Sequence, residues 1–248
     1  KWTQALPLIW DMVLRPKLPK DELGPSRDLA IQSIEAIEDE PQQKVLLELR
    51  QRHYPQPFGR SPLGQREHLE KISLEQIQSF WAGRFMPDGA VLSVAGRFDW
   101  DQLKSQVEHQ LGDWVGQGSQ PQQEQSPLRG YHHCDAESAQ VHIGVVYDAV
   151  PESDPDRWLQ RVAVEILSGG MSSRLFTEVR EKRGLCYAVA AQYGADRDRG
   201  VVLGYAGTTA PRAQETFDVL TAELHRLSEG VSDDEFRRAI IGMKSNLI

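Results

Sequence analysis

The sequence lacks the features that mark several common classes of protein. No segment of its 248 residues approaches the ~18 consecutive apolar residues of a membrane-spanning helix. The net charge is −8 and no basic stripe carries interleaved aromatic residues, which argues against nucleic acid as a partner. Its two cysteines, Cys134 and Cys186, form neither a disulfide framework nor a metal-ligand spacing. They therefore do not indicate the cellular compartment.

The pattern of apolar residues divides the chain into two parts. Residues 116–127 are almost entirely Gln, Gly, Ser, Pro and Glu, without an apolar period, which predicts a linker between residues 1–115 and 128–248. The chain begins without Met inside an amphipathic helical pattern and ends in another one, so we expect a fragment of a longer protein.

Periodicity and capping residues predict the individual elements. Helices are predicted near 1–14, 21–38, 41–53, 73–85, 99–114 and 157–167, with two more towards the end of the chain. Strands are predicted at 90–96, which reads as buried, at 140–147 and at 186–193, the last as the first strand of a hairpin. This order favours the α+β class, with helices packed on largely antiparallel sheets.

One stretch, Ser168 to Tyr187, concentrates the strongest local signals. Gly169 and Gly170 allow a backbone turn, a helix with one apolar side follows, and Gly184 ends it before a strand begins. The stretch lacks the Gly-Lys-Ser/Thr ending of a phosphate loop, which argues against nucleotide binding. From spacing alone, its charged and aromatic residues would be ordinary surface residues.

The same stretch resembles a family signature. Gly-Gly-Met-Ser-Ser-Arg-Leu-Phe-x-Glu-Val-Arg-Glu-Lys-Arg-Gly-Leu-x-Tyr is similar to the second domain of the pitrilysin/insulinase zinc metallopeptidases, which include the mitochondrial processing peptidase. The resemblance implies that residues 1–115 end one peptidase-like domain and residues 128–248 begin a second. It also implies that Arg180 and Tyr187 hold the substrate backbone, while Gly169 and Gly170 leave room for it. The chemistry is suitable, since a guanidinium donates to carbonyl oxygens and a phenol donates to a developing oxyanion.

The zinc ligands of this family are not found in the sequence. The family binds zinc through His-x-x-Glu-His, which is absent here, and through a later Glu. When the sequence is anchored on Arg27 and Pro41, Ser33 stands at that Glu and Ser26 at a supporting Glu. Serine is a poor ligand beside thiolate, imidazole and carboxylate, so we expect zinc in the family but not on this chain.

Other residues could in principle replace the missing ligands. A register shift would offer Glu35 or Glu38, but Glu35 lies ~200° around the helix from Ser33, and Glu38 breaks both anchors. The histidines at 132, 133 and 142 are expected to pack as ordinary polar residues, because adjacent residues on a strand point to opposite faces.

The combination of two serines with an intact Arg180 and Tyr187 predicts a non-catalytic, substrate-binding subunit of a heteromeric zinc endopeptidase. Its substrate would be a peptide or unfolded polypeptide, bound as an extended strand, and its partner a catalytic homologous subunit or a second copy. One alternative is an active zinc metalloendopeptidase whose His-x-x-Glu-His helix lies upstream. Another is a structural relative, like the core subunits of the respiratory bc1 complex, that binds no peptide.

Overall fold

The computed structural model describes residues 2–118 and 123–245. Residues 119–122, inside the predicted linker 116–127, lie outside the described residues. The described chain forms two compact units, one made of Lys1–Ala36 with Pro62–Gln123 and the other of Ile37–Ser61 with Glu124–Ile248. No helix among the described residues is both long and apolar enough to cross a membrane.

The first half of the chain is helical, as its periodicity predicts. A capping box starts one helix, because Gln76 N–H donates to Ser73 Oγ at 3.2 Å and Ser73 N–H donates to Gln76 Oε1 at 2.8 Å. Another starts where Gln102 N–H donates to Asp99 Oδ1. The helices described here are α1 (Trp2–Leu14), α2 (Leu23–Glu38), α3 (Pro41–His53), α4 (Arg66–Leu69), α5 (Leu74–Arg84) and α6 (Trp100–Leu111).

The buried strand predicted at 90–96 is wrong. In the structure this segment is irregular, and its apolar side chains are exposed, Val91 at 86%. A strand forms when neighbouring strands accept and donate its backbone hydrogen bonds. Among the described residues none pairs with 90–96, so the apolar run remains outside any sheet.

The second half contains a three-stranded antiparallel sheet, and the α+β prediction is confirmed. Its strands β1 (Val141–Ala149), β2 (Cys186–Ala195) and β3 (Gly200–Thr208) lie in the order β1-β3-β2, so the predicted hairpin of β2 with β3 is present. The helices here are α7 (Arg157–Ser168), α8 (Ala213–Arg226) and α9 (Asp233–Ser245).

The two faces of this sheet are covered by different elements. On one face lies the core, where Leu167 of α7, Val202 of β3 and Leu220 of α8 are fully buried. On the other face lies α3, because a Cβ added to Gly144 would be 3.2 Å from Leu49. The second face also carries His142, Tyr205 and Gly207, which belong to the candidate site.

Candidate functional site

The helix predicted after Gly170 is present but is wound differently. Phe176–Glu181 is a π-helix, in which Lys182 N–H donates to the Thr177 carbonyl oxygen five residues earlier at 2.9 Å. The predicted apolar side is confirmed, because Val179 is fully buried in the core. π-helical turns are rare and occur frequently at functional sites, where they change the direction of a side chain.

The two glycines at the end of α7 have a local structural reason. Gly169 N–H donates to the Glu165 carbonyl oxygen, and a Cβ at Gly169 would lie 2.5 Å from that oxygen. Gly170 has φ +138°, which side chains rarely allow. These contacts explain how the helix ends, and the substrate-binding role of both glycines remains a prediction.

Arg174 anchors the π-helical segment to α9. Its guanidinium is 7% exposed; Nε lies 2.6 Å from Glu235 Oε1 and Nη2 lies 3.1 Å from Glu235 Oε2. The hydrogen bond from Arg174 lowers the pKa of Glu235 to about 2. Sequence reasoning placed Arg174 on the outside of the helix and missed this pair, since its members are 61 residues apart. The Ser-x-x-Glu capping box at Ser232 was the available signal for Glu235.

Arg180 is exposed on the π-helix and is not used in a buried ion pair. Its side chain is 45% exposed, its guanidinium carbon lies 4.8 Å from the centre of the Phe176 ring, and Glu181 is 3.9 Å away. Its positive charge opposes the effect of burial, which raises the pKa of the Cys186 thiol. The Arg180 side chain is therefore exposed, and its charge acts on Cys186 at the start of β2.

Tyr187 lies at a β-bulge. Cys186 pairs with Thr208 and Ala188 with Gly207, so Tyr187 is an extra residue on β2 without a partner on β3. Bulges re-aim side chains and occur often beside active sites. The ring is 44% exposed, and partial burial raises the pKa of its phenol. An ordinary phenol is already protonated at neutral pH, so the hydroxyl is available as a hydrogen-bond donor.

Behind Tyr187 lie three residues that the sequence did not indicate as part of a site. A Cβ added to Gly207 would be 3.1 Å from Tyr187 Cε2 and 2.9 Å from the Tyr205 hydroxyl oxygen. That hydroxyl makes a 2.8 Å hydrogen bond with His142 Nδ1. Burial raises the pKa of Tyr205 to about 12 and lowers the pKa of His142. His142 is thus a polar packing partner within the sheet.

The two serines that the resemblance aligns with the family's zinc-binding and supporting glutamates offer no carboxylate to a zinc ion. Ser26 and Ser33 are both exposed on α2, and Ser33 Oγ donates to the Leu29 carbonyl oxygen at 2.8 Å. The carboxylates that a register shift would offer are already paired, Glu35 with Arg66 and Glu38 with Lys44.

The described residues contain a different group of metal-type donors, which the sequence reading missed. Donor atoms of Glu48, His132 and Cys134 lie within 4.8 Å of one another. However, His132 Nε2 is 2.8 Å from Arg52 Nη2 and 3.0 Å from Cys134 Sγ. A guanidinium therefore lies against the nitrogen that an ion would need. The His-x-Cys spacing was the only signal for this group in the sequence.

A cavity of about 480 Å³ lies beside the other end of β1. It is lined by Asp148, whose carboxylate accepts from both terminal nitrogens of Arg129, and by buried His53, whose Nε2 lies 3.1 Å from Asp148 Oδ1. The Arg129 hydrogen bonds lower the pKa of Asp148, and burial lowers the pKa of His53. These charges satisfy one another and hold the chain around residue 129 against the sheet.

Comparison with known proteins gives consistent matches. The model of the family "Peptidase M16 inactive domain" matches residues 71–243. An uncharacterized zinc protease of Mycobacterium leprae (strain TN) is 29% identical over 257 residues, which is 98% of this chain and 57% of that protein. An uncharacterized zinc protease of Bacillus subtilis (strain 168) is 26% identical over 251 residues, which is 98% of this chain and 60% of that protein.

Solved structures share the fold. A peptidase M16 inactive domain from Pseudomonas fluorescens matches with a TM-score of 0.85 and 24% identity, covering 95% of this chain and 58% of that one. A chain of complex III2 from Candida albicans matches with a TM-score of 0.75 and 20% identity, covering 96% of this chain and 58% of that one. The chain thus spans less than two thirds of the length of these proteins.

Proposed function

This chain belongs to the family of the peptidase M16 inactive domain. We propose, on the basis of this membership, that it is the non-catalytic, peptide-binding part of a zinc endopeptidase. The resemblance seen in the signature stretch is thereby confirmed at the level of the family. The proposed partner is a catalytic homologous subunit or a second copy, and the proposed substrate is a peptide or unfolded polypeptide. We further propose that residues 1–115 and 128–248 belong to two successive peptidase-like domains joined at 116–127.

One observation carries the proposal. Arg180 and Tyr187, to which the resemblance gives a role in substrate binding, are exposed and lie close to each other in the chain, whereas the positions that it aligns with the zinc-site glutamates hold Ser26 and Ser33. A chain with this combination retains groups that bind a peptide but offers carboxylate ligands at neither position.

The proposed chemistry is the recognition of a peptide backbone. The Arg180 guanidinium donates to backbone carbonyl oxygens, and the Tyr187 hydroxyl donates to a carbonyl oxygen that becomes more negative during cleavage. In the described sheet β2 is an edge strand, so the outer side of Cys186–Ala195 suits an extended peptide that adds as a further strand. No bond-breaking step is assigned to this chain.

Peptide affinity tests the proposal directly. A fluorescently labelled unstructured peptide is titrated with the protein, alone and with a catalytic partner if one is isolated, and its anisotropy is measured. Arg180→Ala is expected to weaken binding about 10- to 100-fold, the value of a hydrogen bond from a charged donor, and Tyr187→Phe about fivefold. Arg197→Ala and Tyr131→Phe are matched controls, since both side chains are exposed and lie elsewhere. Unchanged affinity in both test variants would remove the proposed role.

The alternative is an active zinc endopeptidase with an upstream metal helix, and similarity to proteins named zinc proteases favours it. Elemental zinc analysis and a cleavage assay on the same full-length sample separate the two. Peptide binding without zinc or cleavage supports a binding subunit, whereas about one zinc per chain with chelator-sensitive cleavage supports the alternative. Cys134→Ser controls for zinc held by the exposed cluster with His132.

A further inference from the structure

The bulge creates a need for support around Tyr187. An ordinary strand residue has its direction fixed by the ladder on both sides, but Tyr187 is the extra residue between the pairs Cys186↔Thr208 and Ala188↔Gly207. Something other than strand pairing must therefore hold the ring where it lies.

Gly207 provides the space in which the ring lies. A Cβ at this position would be 3.1 Å from Tyr187 Cε2, which is shorter than an ordinary van der Waals contact. It would be 3.5 Å from Tyr187 Cζ, which is at the short end of ordinary contact. Gly207 does not have a positive φ, so its backbone conformation is open to any residue. A glycine inside a strand weakens the strand and often marks a close approach. Here the group that approaches is the Tyr187 ring.

Tyr205 forms the fixed side of the same space. Its hydroxyl oxygen would lie 2.9 Å from a Cβ at Gly207, yet the side chain is only 3% exposed. It is held by the 2.8 Å hydrogen bond to His142, and the two rings stack with centroids 6.0 Å apart. Tyr205 cannot move aside easily, whereas Tyr187 is partly exposed. An atom added at position 207 therefore presses on both rings, and the partly exposed Tyr187 ring is the one with room to move.

We propose that Gly207, Tyr205 and His142 are positioning residues that hold the Tyr187 ring over Gly207 in the orientation needed for peptide binding. This role rests on the proposed function of Tyr187. Gly207 leaves the space for the ring, Tyr205 closes that space from behind, and His142 fixes Tyr205.

The first test observes the ring without any peptide. The protein is labelled with 3-fluorotyrosine, and the ¹⁹F resonance of Tyr187 is assigned by its loss in Tyr187→Phe. Gly207→Ala is expected to shift or broaden this resonance. Gly204→Ala is the matched control, because it lies on the same strand and its Cβ would meet Leu224 at an ordinary 3.6 Å on the opposite face. An unchanged Tyr187 resonance in Gly207→Ala would overturn the proposal.

The second test connects the ring to binding through double-mutant cycles. Gly207→Ala is expected to weaken peptide binding about fivefold, the same as Tyr187→Phe, since both remove one neutral hydrogen bond. In the Tyr187→Phe background it should have no further effect, whereas with Arg180→Ala the losses should multiply. Equal losses in all backgrounds would mean a general structural role and would overturn the proposal.

A milder variant keeps the test valid if Gly207→Ala does not fold. Tyr205→Phe removes only the hydroxyl, which frees the ring from His142, and should shift the Tyr187 resonance as well. A shifted resonance with unchanged peptide affinity would support the positioning role and refute the proposed function of Tyr187. An unshifted resonance in this variant would refute the role of Tyr205 and His142.

Discussion

Glu235→Gln is the substitution for which the structure gives the clearest magnitude. Glu235 is 19% exposed and pairs with Arg174, which is 7% exposed and also donates to the carbonyl oxygens of Arg226 and Gly230. Glutamine preserves the shape of the side chain but removes its charge. The variant therefore leaves a buried guanidinium without its counter-charge.

The expected loss follows from the pKa of Glu235. The hydrogen bond from Arg174, together with weaker contributions from the N–H and hydroxyl of Ser232, lowers this pKa from 4.5 to about 2. At about 1.4 kcal/mol for each pKa unit, that difference corresponds to about 3 kcal/mol of folding stability. Breaking a buried ion pair by removing one partner typically costs about 3–5 kcal/mol, which agrees. We expect Glu235→Gln to lower the free energy of unfolding at pH 7 by about 3 kcal/mol.

The sign of the pH dependence follows from the same pKa. Because the folded pKa lies below the unfolded one, the stabilisation is complete above about pH 4.5 and is lost as the pH falls towards 2. Urea unfolding of the wild type should show this loss, and Glu235→Gln should lack this component. Asp234→Asn removes a charge from the same first turn of α9 and should cost less than about 1 kcal/mol. A loss below about 1 kcal/mol in Glu235→Gln would refute the reasoning.

Three smaller predictions concern other parts of the chain. In native protein Cys134 should react promptly with Ellman's reagent while Cys186 reacts only after unfolding, and two prompt thiols would contradict the burial of Cys186. Ser33→Ala should change the free energy of unfolding by less than about 0.5 kcal/mol and leave zinc content unaltered, so zinc loss would show that Ser33 is a ligand. Asp148→Asn should lower the free energy of unfolding by about 1 kcal/mol in urea, because Arg129 loses an exposed partner; an unchanged midpoint would contradict this.

Local structure was predictable where a short pattern determines it. The capping box at Ser73 and Gln76 needs only four residues, and the alternation of apolar residues over 186–193 indicates the first strand of the hairpin. The resemblance added Arg180 and Tyr187, which no period or composition would have singled out. The residues that surround Arg180 and Tyr187 in the folded chain were not predicted.

The missed features depend on residues far apart or on single backbone steps. Segment 90–96 resembles a strand because it is rich in valine and other apolar residues. A strand also needs a neighbouring strand to pair with, and the composition of a segment does not show whether one is present. The π-winding of Phe176–Glu181 buries the same apolar side as an α-helix, so the apolar pattern does not distinguish them. The contact of Tyr205 with His142 joins residues 63 positions apart and depends on the sheet register.

The extra residue in β2 joins two alternating patterns of opposite phase. Cys186 faces the core before it, and Val189 and Tyr193 pack against the same core after it, which an unbroken alternation does not permit. If the strand alternated without a break from Cys186 through Tyr187, it would bury Gln192 in place of Tyr193. The bulge therefore accommodates Tyr187 as an additional residue without changing which of the later residues face the core. Deleting Tyr187 would leave the alternation from Cys186 to Tyr193 unbroken, so the core face of the strand would be kept and only the partly exposed ring lost.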